Sequence, residues 1–193
     1  IALLLAAILA VVAGVSFVSW YTSALGPTEA SDPFYARYEG GTAFDDVLED
    51  LVSKRVVRNM RAFKLFCYLD KQERVVREGT FEFHGGMTPR QVMRSLRRPI
   101  EQQVRIPEGW WIARVAKRLE EKKVCKAEEY IAAANTPDLF RDDVSFPLPT
   151  GSLEGYLYPD TYDLPPLIGA EAVVRRQLHA FEEKVIGELK KMP

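Results

Sequence analysis

Residues 154–162 read Glu-Gly-Tyr-Leu-Tyr-Pro-Asp-Thr-Tyr, so two carboxylates, Glu154 and Asp160, stand six positions apart among Tyr156, Tyr158 and Tyr162. Gly155 frees the backbone, and Pro159-Asp160-Thr161 favours a turn. Aromatic faces suit the C–H groups of a pyranose ring, and carboxylates accept from its hydroxyls. The stretch therefore carries the residue types of a sugar-binding cleft. It also reads as a tyrosine-rich core strand ending in a type I turn. Hydrolysis of a glycosidic bond asks for two carboxyl groups about 5 to 9 Å apart, which Glu154 and Asp160 satisfy by type. Cleavage in which a hydroxyl of the sugar itself replaces water asks for only one Glu. With its pKa raised by an apolar wall, that Glu serves as acid and then as base.

Other chemistries find little support. His84 and His179 lie far apart and nothing has metal-ligand spacing, so neither a metal nor a cofactor is expected. The 26 Lys and Arg nearly balance the 27 Asp and Glu, which argues against nucleic-acid binding. Cys67 and Cys125 occupy apolar helix positions and read as separate buried thiols, although an exported domain also permits a disulfide.

Several elements must position the stretch. Residues 1–25 contain no charge and are long enough to cross a bilayer, with Trp20 and Tyr21 at the end where interfacial aromatics anchor such helices. We read them as an uncleaved anchor. A signal peptide, with Thr22 and Ala24 as the small residues of its cleavage site, is the competing reading. Residues 26–33, with Pro27 and Pro33, suit a short tether.

The remainder aligns with itself at an offset of 68: Gly41 on Gly109, Phe44 on Ile112, Val47 on Val115, Leu51 on Leu119, Lys54 on Lys122, Val56 on Val124. Each copy reads as an extended segment, a Gly, an amphipathic helix, a basic-Val junction and a second helix. In the first copy Thr42 is expected to cap the helix that carries Phe44, Val47, Leu48 and Leu51. Thr88-Pro89 starts another helix, with Val92, Met93 and Leu96 inward. Strands read best at 34–38, 79–83 and 102–106. Residues 171–191 read as one amphipathic helix with stripe Val174, Leu178, Phe181, Val185 and Leu189. Trp110 and Trp111 either stack on a sugar ring or staple and fill the helix start. The basic runs Lys54–Lys64 and Arg90–Arg98 read as solvated faces, or as contacts to anionic lipid.

The 154–162 stretch resembles the E-G-x-L-x-P-D-T-Y signature of the YceG-like endolytic murein transglycosylases. Pro107-Glu108-Gly109 is similar to that family's P-E-G junction, and Gly79-Thr80-Phe81 to its extended G-T-Y stretch, with Phe81 replacing the usual Tyr. The resemblance implies an α+β protein: an anchor over 1–25, a linker over 26–33, a LysM-like module over 34–99, and over 100–193 the first part of a mixed α/β catalytic domain. It implies a single-pass protein of the cytoplasmic membrane with its soluble part on the outer side. There it would cut nascent peptidoglycan between N-acetylmuramic acid and N-acetylglucosamine, leaving 1,6-anhydro ends. Partners would be glycan strands, the membrane and the wall-synthesis machinery, and no nucleic acid. Glu154, Tyr156, Tyr158, Asp160, Thr161 and Tyr162 would bind substrate. The family's catalytic Glu lies in an E-K-E-A motif that Glu182-Glu183-Lys184 matches only superficially, so the general acid is expected beyond Pro193. The competing reading is a non-catalytic, membrane-anchored glycan-binding or scaffold protein.

Overall fold

The structure, a computed structural model, describes residues 2–29 and 31–191. It is a mixture of helices and small sheets and divides into two compact units, Ile1–Pro99 and Ile100–Pro193.

The first unit begins with α1 (Ala2–Ala24), the one helix among the described residues long and apolar enough to cross a membrane. Its apolar side chains are exposed almost throughout. The chain then runs β1 (Phe34–Tyr38), α2 (Phe44–Ser53), α3 (Met60–Leu69), β2 (Gly79–Phe83) and α4 (Pro89–Leu96). β1 and β2 pair antiparallel from Phe34–Phe83 to Tyr38–Gly79. Alternation sends Phe81 and Phe83 into a core with Val47, Leu48 and Leu51 of α2, Phe63 of α3 and Met93 of α4. Tyr38 adds a polar tie, its hydroxyl donating to Asp50 at 2.7 Å. Thr88 caps α4 through a capping box with Gln91, and Pro89 supplies the preset φ of the first turn.

Thr42 does not cap α2. The N-cap is Ala43, and the Thr42 hydroxyl instead donates to the Glu39 carbonyl, closing the turn that Gly41 makes at φ +87°. Residues 26–33 are also more than a spacer. Arg58 donates to the Pro27 carbonyl at 2.9 Å, the Gly85 N–H to Ser31 Oγ at 2.7 Å, and the Gly86 N–H to Thr28 Oγ1 at 3.1 Å.

The second unit repeats the order: β3 (Gln103–Arg105), α5 (Ile112–Glu121), α6 (Ala127–Ala134), β4 (Thr161–Asp163) and α7 (Ala170–Phe181). β3 pairs antiparallel with β4. The offset of 68 survives in atomic detail. Gly109, at φ +73°, matches Gly41, and Lys123, at φ +58°, matches Arg55 at +57°. In each copy the N–H of the following valine, Val56 or Val124, reaches back 2.9 Å to the carbonyl of Leu51 or Leu119. This is a helix C-terminal closure with a left-handed residue. After α1, the first unit thus runs strand, helix, helix, strand, helix as the second does, each around its own core.

The final segment departs from a single helix. α7 gives way to a π turn at Glu182–Ile186 before Gly187–Leu189. One extra residue per turn rotates the phase of the stripe. Val174 and Leu178 are buried, while Leu189 is exposed. Cys67 and Cys125 are free thiols in different units, and burial pushes the Cys125 thiol up to about 12.

Candidate functional site

The two units differ most between their second helix and closing strand. The first spends nine residues there, 70–78, and the second spends 26, 135–160. The inserted loop begins with a 3-10 turn at Pro137–Asp143, which sinks Phe140 into the core, and ends in the Glu154–Asp160 run.

A cavity of about 330 Å³ lies between this loop and the start of α5. Trp110, Ile112, Val115, Leu157 and Pro159 supply apolar walls. Glu154 is the one carboxylate among its described lining residues, and its position follows from a backbone need. The N-cap of α5 is Trp111, which has no side-chain oxygen to offer. Glu154 Oε2 accepts the Ile112 N–H at 3.1 Å instead, where the helix dipole favours negative charge. Trp111 is 61% exposed, whereas Trp110 packs on the core with the Arg114 guanidinium 4.3 Å from its ring centre. Deeper in, the Tyr130 hydroxyl donates to Gln177 Oε1 at 2.6 Å, and burial raises the Tyr130 pKa.

The other residues of the signature hold the loop. Tyr156 stacks on Phe146 at 6.3 Å and 5° and lies 5.4 Å from Phe181. The Tyr162 hydroxyl, its pKa raised by burial, donates to the Tyr158 carbonyl at 2.6 Å. The Asp160 carbonyl accepts the Ile106 N–H at 2.8 Å, extending the β3–β4 ladder, in which exposed Thr161 faces Arg105. Lys184 sits 2.5 Å from Asp160 Oδ2 and 5.3 Å from the Tyr158 ring centre. That ammonium, with the Thr161 N–H, holds the Asp160 carboxyl below the usual carboxylate range. Glu182 takes hydrogen bonds from the Ser145 hydroxyl and N–H, which likewise lower its pKa.

Of the six residues the sequence singles out, Glu154 lines the cavity, Tyr158 and Asp160 gather around Lys184, Tyr156 and Tyr162 pack against the protein, and Thr161 is exposed on β4 opposite Arg105. Asp160 neutralises a lysine and is not among the cavity's lining residues, so the described residues do not assemble a carboxylate pair there. Tyr130 and Gln177 were not singled out. Their one sequence signal is a glutamine on the inward face of α7, between Val173–Val174 and Leu178.

The YceG-like family profile matches residues 38–192, which run from the end of β1 through the inserted loop and α7. The chain belongs to the YceG-like family. No curated protein matches it. Among solved structures it is similar to that of a YceG-like protein from Listeria monocytogenes, with 19% identity and a TM-score of 0.39. The match covers 82% of this chain and 57% of that one, so this chain spans little more than half the length of that relative.

Proposed function

We propose that this YceG-like chain forms the anchoring and glycan-holding portion of an endolytic murein transglycosylase. That enzyme cleaves nascent peptidoglycan strands at the outer face of the cytoplasmic membrane and leaves 1,6-anhydro-N-acetylmuramic acid ends. The observation that carries the reading is the signature loop itself. An insertion in an otherwise repeated unit brings Glu154 to a 330 Å³ cavity with indole and aliphatic walls. Family membership and an N-terminal helix of spanning length agree with it. In this reading 34–99 is a LysM-like module and 135–160 seats the strand. On the same reading the proton donor is a glutamate outside the described residues, because Glu182-Glu183-Lys184 matches the family's E-K-E-A motif only superficially and Glu182 is held by Ser145.

The test is to incubate uncrosslinked nascent glycan with the full gene product and with residues 1–193, then look for 1,6-anhydro ends. The full product is expected to generate them and the 193-residue segment to bind without cleaving. Absence of cleavage by the full product, with binding retained, would favour a non-catalytic wall-binding protein.

A further inference from the structure

Gln177 is fully buried on the inward stripe of α7, alongside Ala170, Val173, Val174 and Leu178. A side-chain amide in such a stripe is costly unless both of its ends are hydrogen-bonded. The Tyr130 hydroxyl satisfies one end, Oε1, at 2.6 Å. The other end, Nε2, has no partner among the described residues, and Gln177 forms part of the lining of the cavity beneath the signature loop. A tyrosine hydroxyl serves either amide atom equally well, so either orientation of the amide leaves one end unpaired. At the same cavity Glu154, anchored through Oε2, keeps a second oxygen as an acceptor. The walls between these polar groups are apolar: Ile112, Val115, Leu157 and the indole of Trp110.

We propose that this cavity is an acetamido pocket, in which Gln177 and Glu154 hydrogen-bond the secondary amide of an N-acetylated sugar while Ile112, Val115 and Leu157 enclose its methyl group. A secondary amide offers one donor and one acceptor, which the unpaired glutamine end and the free carboxylate oxygen complement. A bare hydroxyl also donates and accepts, but from a single atom and without a methyl group, so it does not bridge the two separated groups and leaves the apolar wall wet. The volume of 330 Å³ lies near the lower end of small-molecule sites, about 300 to 1,000 Å³, and suits one sugar residue with its substituent. The inference rests on the glycan-binding reading and adds to it the residues, Gln177 and Glu154, that recognise the sugar's 2-acetamido group.

The test is calorimetric or ligand-observed NMR titration of the full chain with two uncharged probes, the trimer of N-acetylglucosamine and cellotriose, which carries a hydroxyl in place of each acetamido group. Wild-type protein should bind the acetylated trimer about tenfold more tightly, the worth of pairing one otherwise orphaned buried group. Gln177→Glu keeps an acceptor for Tyr130 but removes the amide N–H, and should erase the preference; Gln177→Met should do the same. Near-UV circular dichroism checks that each variant is folded, and if neither is, the wild-type ratio decides alone. Equal wild-type affinity for the two probes, or a preference that survives in a folded Gln177 variant, overturns the acetamido pocket. If nascent glycan is still bound in that case, the wider function stands; if no glycan binds at all, both readings fall.

Discussion

Glu154 reaches 42 residues back along the chain to accept the Ile112 N–H at 3.1 Å. This bond joins the inserted loop to the first turn of α5, so the residue that opens the signature is also a helix cap. Glu154→Ala should therefore destabilise the protein by about 1 kcal/mol, the usual worth of a cap. For a unit of this size that corresponds to a Tm lower by roughly 4 to 8 °C. Glu154→Gln retains a carbonyl acceptor and should lose less than half as much. Thermal denaturation of both variants reads the difference, and equal losses would show that charge, not the hydrogen bond, matters.

Gly85 is a steric prediction. A Cβ there would lie 1.9 Å from the Glu29 carbonyl oxygen and 2.8 Å from the Ser31 nitrogen. Those are backbone atoms and cannot turn aside. Gly85→Ala should lift residues 26–33 from the first unit, raising the rate of proteolytic cleavage there several-fold while far-UV circular dichroism stays unchanged. A cleavage rate matching wild type would show that the segment is not held as described.

Asp160 provides a pH signature. Lys184 and the Thr161 N–H lower its folded pKa below the unfolded value of about 3.9. A carboxyl depressed by folding adds stability above its unfolded pKa, and that contribution disappears as pH falls through the folded value. The effect should thus be confined to acid conditions, below about pH 4. The pair is partly exposed, so it is also screened by salt. An NMR titration of the Asp160 carboxyl should show it moving upward in Lys184→Ala.

The repeat makes paired predictions. Arg55 and Lys123 end equivalent helices in the left-handed region, at φ +57° and +58°. That region costs a side chain roughly 1 to 2 kcal/mol, of which glycine's greater unfolded freedom cancels part. Arg55→Gly and Lys123→Gly should each stabilise by about 0.5 kcal/mol. Chemical denaturation measures both, and opposite signs would mean that the two closures are not equivalent.

The repeat was legible in the sequence because it is written in periodic apolar residues and glycines. Phe44, Val47, Leu48 and Leu51 are buried as their spacing predicts, and so are Ile112, Val115, Ala116 and Leu119. The strands at 34–38 and 79–83 alternate cleanly enough to locate to the residue. The cavity was not legible. It depends on where a 26-residue non-periodic loop returns, which long-range contacts such as Glu154 to Ile112 decide. Gln177 gives little signal because hydrophobic patterning treats a polar residue in a stripe as an interruption. The π turn was invisible because its one-residue phase change lies between two stretches of ordinary helical spacing.

The bonds from Arg58, Gly85 and Gly86 to residues 27–31 convert the junction after α1 from a swivel into a bracket. A free eight-residue joint would let its cargo sweep a hemisphere of roughly 16 Å radius about the end of α1. A bracket instead makes tilt and rotation of α1 tilt and rotation of the attached unit. In the membrane-anchored reading, bilayer thickness, which sets helix tilt, then becomes a setting for the orientation of β1 and β2.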